Sequence, residues 1–112
     1  MRAAVFHGAE RGLSIEEVPT PSPGPGEALV RVAGCGICHT DLHYLDHGVP
    51  TFKPPPIILG HEPAGTVAAL GEGVTHWSEG DRVLIPAVLS CGRCRYCRMG
   101  RENLCERLEM LG

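Results

Sequence analysis

The sequence predicts a mainly β fold made of short strands. Fifteen glycines and ten prolines divide the 112 residues into short segments, which favours strands over long helices. Several of these segments alternate or cluster apolar residues in the manner of strands. Apolar residues make up 43% of the chain, an ordinary share for one globular domain with a modest core.

The first third of the chain predicts three strands. Residues 2–7 and 13–18 fit a hairpin whose turn is rich in glycine. Prolines at every second position of residues 19–27 exclude a central strand and predict an extended connector. Residues 27–33 alternate apolar and polar side chains, which predicts a half-buried strand that ends at Gly34.

A short helix is predicted next. From Cys38 the apolar spacing changes, so that Leu42 and Leu45 could lie on one helical face. Thr40 or a neighbouring residue could cap the start of this helix, and Gly48 ends it.

The second half of the chain predicts further strands at residues 57–59, 64–70 and 82–88. Residues 90–105 show no strand pattern, and their cysteines are expected to organise them instead.

Charge and composition narrow the function classes. A net charge of −3 gives no electrostatic reason to bind nucleic acid or an anionic membrane. No apolar run approaches the ~20 residues of a membrane-spanning helix, and the N-terminus lacks the apolar core of a signal peptide. We therefore expect a cytoplasmic protein whose six cysteines bind metal or act chemically rather than form disulfides.

Four of the cysteines have the spacing C-x2-C-x2-C-x7-C, which is typical of a zinc site. Zinc prefers four tetrahedral ligands, and four thiolates leave no position for a substrate, so such a site is structural. The ligands would be Cys91, Cys94, Cys97 and Cys105. An iron–sulfur cluster or metal-free thiols remain as alternatives, although the ferredoxin run closes with C-x3-C-P. The arginines between these cysteines could offset the thiolate charge or simply form a solvated face.

A second candidate set contains Cys38 and His61. A lone histidine is more often an ordinary polar residue than a ligand. Here Gly60 and Gly65 bracket His61 and suggest a tight backbone, and the adjacent Glu62 could support a metal ligand or exchange with one.

Residues 60–74 read G-H-E-x2-G-x5-G-x2-V, which resembles the zinc signature of medium-chain alcohol dehydrogenases. The four-cysteine segment, the run GICHTDLH and the proline-rich PSPGPGE occur in the order and at the intervals of that family. The resemblance therefore covers essentially the whole chain. It implies that residues 1–112 form a GroES-like domain, a twisted, partly open β-barrel with short helices and a structural-zinc lobe at about 90–106.

The resemblance also implies two zinc sites. Cys38 and His61 match ligands of the catalytic zinc, and Glu62 resembles the glutamate behind that metal. The structural zinc of the family matches the four cysteines already named.

Four further residues match family positions in the run that contains Cys38. Asp41 resembles the carboxylate that orients the zinc-binding histidine, and Thr40 the hydroxyl that takes the proton of the alcohol. His43 resembles the outer member of the proton relay, and His39 the residue that contacts the cofactor pyrophosphate.

In the family, the third catalytic zinc ligand and a Rossmann domain for the cofactor lie at positions beyond residue 112, and the chain contains no G-x-G-x-x-G. We therefore expect the N-terminal part of a zinc-dependent enzyme that oxidises small alcohols to aldehydes or ketones with NAD or NADP. The complete enzyme is expected to be a homo-oligomer, and this chain alone to bind zinc without turnover. The alternative is a stand-alone zinc-binding scaffold or interaction module.

Two other arrangements compete for the same residues. His39, His43 and His47 recur at every fourth position, so a helix could align them as a different metal site, although Gly48 directly after them weakens that case. Cys35 and Cys38 form a C-x-x-C, but without the βαβ context of a redox pair. We expect Cys35 to pack as a small apolar residue.

Overall fold

The computed structural model describes Met1–Gly112 and confirms the mainly β class. The strands are β1 (Arg2–Phe6), β2 (Leu13–Glu17), β3 (Ala28–Cys35), β4 (Ile57–Ile58), β5 (Pro63–Leu70), β6 (Arg82–Leu84), β7 (Val88–Leu89) and β8 (Glu109–Met110). The helices are α1 (His39–Asp46) and α2 (Arg95–Arg98), followed by a 3₁₀ turn over Glu102–Leu104. None of the helices has the length and apolar character needed to cross a membrane.

The strands form two three-stranded antiparallel sheets and one two-stranded ribbon, with no closed barrel. The first sheet has the order β2-β1-β4, the second β3-β5-β6, and the ribbon joins β7 and β8. The predicted N-terminal hairpin is confirmed, because β1 and β2 pair along their whole length. Phe6 of β1 and Tyr44 of α1 are both buried and line one cleft, so α1 packs beside the first sheet.

Strand β5 is the centre of the second sheet and alternates in burial. Pro63, Gly65 and Val67 are buried, whereas the residues between them are half-buried. This period of two is the pattern of a strand with one face turned to the interior. The alternation begins directly after His61 and Glu62, so the sheet positions these two side chains.

Strand β3 does not end at Gly34, as the sequence predicts, but continues to Cys35. The register shifts between Val32 and Gly34, and Cys35 then pairs with Pro63. The irregularity absorbs an extra residue while the pairing continues, as a β-bulge does. The longer strand brings the start of the Cys38 segment next to the residues that precede β5.

The predicted apolar face of α1 is wrong at Leu42, whereas Leu45 is half-buried. Leu42 is 40% exposed, whereas the buried residues of the helix are Asp41 and Tyr44. Asp41 turns inward because its Oδ2 accepts a hydrogen bond from the backbone N–H of Cys38, 2.8 Å away. A buried carboxylate needs such partners, and this local bond decides which face of the helix is internal.

The predicted strand at residues 82–88 is divided in two. Strand β6 ends at Leu84 and β7 begins at Val88. Pro86 lies between them and has no N–H to continue a ladder. The carbonyl of Ala87 instead accepts a bond from the N–H of Leu111, which brings in a C-terminal strand that the sequence did not indicate.

The core is small for the length of the chain. Nine of the 112 residues are buried, and the extents of 42 × 32 × 20 Å describe a flattened shape. The radius of gyration is 15.3 Å, against the ~13 Å typical of a compact domain of this length.

Substituting Gly65→Ala should destabilise the protein. A Cβ on Gly65 would lie 2.3 Å from the backbone oxygen of Arg31 in the neighbouring strand, so that β3 and β5 would have to separate. We expect a loss of about 1–3 kcal/mol in urea denaturation, as for other overpacked sites.

The matched control is Gly34→Ala, since a Cβ there meets no heavy atom within 4 Å. An equal loss of stability in both variants would show that the close approach of the two strands is not the cause.

Candidate metal centres

The four cysteines of the C-terminal segment converge. The sulfur atoms of Cys91, Cys94, Cys97 and Cys105 lie within 4.8 Å of one another, and none forms a disulfide. The sulfurs of Cys94 and Cys97 are 3.5 Å apart. Four thiolates at ~2.3 Å from a tetrahedral zinc lie ~3.8 Å from one another. The four sulfurs and their spacing therefore fit a zinc ion whose four coordination positions are all filled by the protein.

Short elements bring these cysteines together. Helix α2 begins directly after Cys94 and contains Cys97, and the 3₁₀ turn leads the chain back to the buried Cys105. The backbone N–H groups of Cys91 and Arg107 each lie 3.3 Å from the sulfur of Cys105 as hydrogen-bond donors. These two bonds fix the position of the Cys105 sulfur within the lobe.

The thiols of this lobe differ in acidity. Hydrogen bonds from the backbone amides of Cys97 and Glu106 lower the pKa of Cys94 to about 6. Backbone hydrogen bonds from Arg93 and Cys94 also lower the pKa of Cys91. Burial, together with the neighbouring Cys94 thiol, raises the pKa of Cys97 to about 12. Crowded thiols resist ionising together, and a bound divalent cation removes that resistance.

The side chains of the arginines of the lobe make no hydrogen bond to sulfur. Arg95 lies 3.0 Å from a carboxylate oxygen of Glu106, donates to the hydroxyl of Tyr96 and stacks over its ring. Arg93, Arg98 and Arg101 are exposed. Of the two alternatives for these arginines, the solvated face agrees better with the structure, because backbone amides supply the bonds to sulfur.

The second set joins two parts of the fold. Cys38 directly precedes α1, whereas His61 and Glu62 lie between β4 and β5. The candidate ligand atoms of these three residues lie within 4.8 Å of one another, with His61 buried and Glu62 exposed. Three protein ligands with an open position are typical of a catalytic zinc site. This donor set therefore also fits zinc.

Asp41 connects the two parts. Its Oδ2 binds the backbone N–H of Cys38, and its Oδ1 lies 3.4 Å from Nδ1 of His61, with both side chains about nine-tenths buried. Oδ1 itself forms no hydrogen bond, so its contact with the His61 ring is an electrostatic one. The carboxylate therefore faces Nδ1 and leaves Nε2 of His61 as the nitrogen available to a metal.

The protonation of Cys38 and His61 is linked. Hydrogen bonds from the backbone of Thr40 and from the His61 ring lower the pKa of Cys38. The same contact with Cys38, aided by the charge of Asp41, raises the pKa of His61.

The remaining predicted residues lie on α1 at different depths. The Thr40 hydroxyl is 3.7 Å from the sulfur of Cys38 and is half-buried. His39 and His43 are exposed, with ring centroids 5.4 Å apart. The structure therefore brings Thr40 to the candidate centre and leaves both histidines exposed on the helix, with no hydrogen bond between Thr40 and His43.

Two contacts at this centre were not found by sequence reasoning. A Cβ on Gly36 would lie 2.1 Å from Oε2 of Glu62, so the glycine makes room for that carboxylate. Gly112 packs against the backbone of Gly60, directly before His61. The position of Gly36 between Cys35 and Cys38 was a possible signal for its contact with Glu62. No local pattern in the sequence indicates the contact of Gly112 with Gly60. The expectation for Cys35 is wrong, because this residue is exposed.

Comparisons with known proteins agree over most of the chain. Residues 24–112 match the family model for the alcohol dehydrogenase GroES-like domain. An alcohol dehydrogenase from Moraxella sp. strain TAE123 is 48% identical over 113 residues, which cover 100% of this chain and 33% of the relative.

Solved structures give the same result. The alcohol dehydrogenase from Thermus sp. ATN1 superposes with a TM-score of 0.88 at 44% identity, covering 100% of this chain and 32% of that one. The cobalt- and zinc-bound thermostable alcohol dehydrogenase from Pyrobaculum aerophilum superposes with a TM-score of 0.83 at 44% identity. The match covers 95% of this chain and 32% of that one. The chain spans about a third of the length of the relatives it matches.

Removing one ligand of the four-cysteine lobe should release zinc and melt the lobe. Structural zinc contributes on the order of 10 kcal/mol to folding, so we expect Cys105→Ser to lose one zinc equivalent and at least about 10 °C of melting temperature. Metal analysis and calorimetry measure these effects, and a chelator should reproduce them in the unmodified chain.

Cys35→Ser is the control, because Cys35 is exposed and outside both ligand sets. If metal analysis finds no zinc and the chelator leaves the melting curve unchanged, the four-cysteine zinc site is refuted.

Gly36→Ala should weaken the second zinc site by displacing Glu62. The new Cβ would occupy the space of Oε2, and a flexible carboxylate can swing away without disturbing Cys38 or His61. We expect the second zinc equivalent to bind about 10–100-fold more weakly, the range typical for residues that support a metal ligand. Competition with a chromophoric chelator measures it.

Glu62→Gln should behave like Gly36→Ala, and Gly34→Ala should behave like the unmodified chain. Unchanged affinity in both Gly36→Ala and Glu62→Gln would exclude Glu62 from the centre.

Proposed function

The chain belongs to the alcohol dehydrogenase GroES-like domain family, and we propose that it is the N-terminal catalytic portion of a zinc-dependent alcohol dehydrogenase. The complete enzyme would oxidise small alcohols to aldehydes or ketones with NAD or NADP. The observation that carries the proposal is the meeting of Cys38 and His61 around the buried Asp41, next to the half-buried Thr40 hydroxyl.

The residues present support this chemistry at one end of α1. A zinc ion held by Cys38 and His61 would supply a Lewis acid for the alcohol, and the nicotinamide would supply the hydride acceptor. Asp41 keeps the His61 ring in the orientation that presents Nε2. The exposed Glu62 is free to approach the centre or to withdraw from it.

Proton release is the task proposed for the outer residues of α1. The Thr40 hydroxyl lies beside the candidate centre and is placed to accept the proton of the alcohol. His43 follows three residues later, close to the same side of the helix, and is exposed to water. An exposed imidazole can pass a proton on to solvent. The exposed His39, at the first position of α1, would contact the cofactor phosphates.

The four-cysteine lobe is assigned a structural role, since a shell of four sulfurs has no position for substrate. The third ligand of the catalytic zinc and the Rossmann domain would belong to the rest of the enzyme, which would be a homo-oligomer. On this proposal, the 112-residue chain binds zinc but does not turn over.

A pair of cysteine variants in the complete enzyme tests the proposal. Cys38→Ser should lower kcat at least about a hundredfold, since losing a ligand exceeds the cost of losing a residue that only supports one. Cys35→Ser should leave kcat within a few-fold, because Cys35 is outside the ligand set. Steady-state oxidation of a primary alcohol measures both.

Equal losses in the two cysteine variants would contradict the division between Cys38 and Cys35. Zinc binding without any alcohol-dependent reduction of NAD or NADP would instead favour a stand-alone zinc-binding module.

A further inference from the structure

Three histidines form a stripe on the outer face of α1. His39, His43 and His47 are all exposed, and their ring centroids are 5.4 Å and 5.3 Å apart in succession. His47 caps the helix, so the glycine that follows it does not prevent the alignment. Neither cysteine-containing set includes any of the three. The stripe is therefore a group of imidazole side chains separate from both sets.

We propose that this stripe holds a further divalent transition-metal site, formed by His43 with His47 and with His39 as the alternative partner. Imidazole nitrogen suits zinc, nickel and copper. Histidines four residues apart on a helix lie on one face and can bind one ion together.

The ring positions agree with a shared ion. Two imidazole nitrogens bound to one metal at ~2.0–2.1 Å lie ~3 Å apart. Centroids 5.3 Å apart allow the facing nitrogens of the His43 and His47 rings to reach this separation. The present tilt of 45° between these rings is relieved by rotation about χ2, which costs little in an exposed side chain.

One ion binds per helix, because His43 is common to both pairs. His39 and His47 are eight residues apart, which is ~12 Å along a helix axis and too far for a single ion. The pair at the C-terminal end is favoured because the helix dipole places partial negative charge there. The exposed carboxylate of Asp46, next to His47, adds a negative charge at the same end.

Two exposed imidazoles bind metal more weakly than four thiolates, so the stripe fills after the four-cysteine site. The site does not depend on the proposed enzymatic role. In the complete enzyme, an ion on His43 would occupy the ring nitrogen that the proposed relay uses.

The test is a Ni²⁺ titration of the zinc-loaded chain, followed by NMR of the imidazole Cε1–H signals. Paramagnetic Ni²⁺ should broaden the signals of His43 and His47 at lower concentrations than the signal of His76, an exposed histidine outside α1. His43→Gln should weaken Ni²⁺ binding at least tenfold, and His47→Gln should weaken it more than His39→Gln. His76→Gln is the control and should bind Ni²⁺ as the unmodified chain does.

Broadening of His43, His47 and His76 in parallel would overturn the site, as would unchanged Ni²⁺ affinity in His43→Gln. A loss in His39→Gln equal to or greater than that in His47→Gln would overturn the assignment to the C-terminal pair. Because all three rings are exposed, the variants should fold, and circular dichroism confirms that before titration.

Discussion

The carboxylate of Asp41 is the contact on which the candidate catalytic centre depends. One oxygen holds the backbone of Cys38 at the start of α1, and the other faces the ring of His61 before β5. A buried carboxylate is costly unless its oxygens find partners. The interior position of Asp41 is therefore stable only when the helix and the turn before β5 are both in place, and the same contacts bring the two candidate ligands together.

The surrounding backbone makes this meeting possible. Strand β3 runs to Cys35 through an irregular register, which carries the chain alongside Pro63 before α1 begins. Gly36 then leaves space for Glu62. From the other side, Leu111 binds Ala87 and Gly112 packs on Gly60. The chain that leaves the four-cysteine lobe thus returns to the residue before His61, and zinc in the lobe would also steady the centre.

Features that depend on residues close together in the sequence could be predicted, whereas features that depend on distant partners could not. Cysteine spacing is a local property, so the convergence of Cys91 and Cys105 could be predicted, as could the hairpin of β1 and β2. The inward face of α1 could not, because apolar periodicity favoured Leu42 while a hydrogen bond to Cys38 turned Asp41 inward. Strand β8 is two residues long, and a partner about twenty residues away creates it, so no local pattern indicates it.

Helix α1 separates three environments within eight residues. Asp41 is buried beneath the candidate ligands, Thr40 is half-buried beside Cys38, and His43 and His47 are exposed to water. On the proposed function, this gradient would lead a proton from the half-buried Thr40 hydroxyl to imidazoles that face water. It also presents imidazoles to any metal ion in solution. The features that suit His43 to the proposed relay, exposure and a neighbour one turn away, are therefore the features that suit it to the proposed metal site.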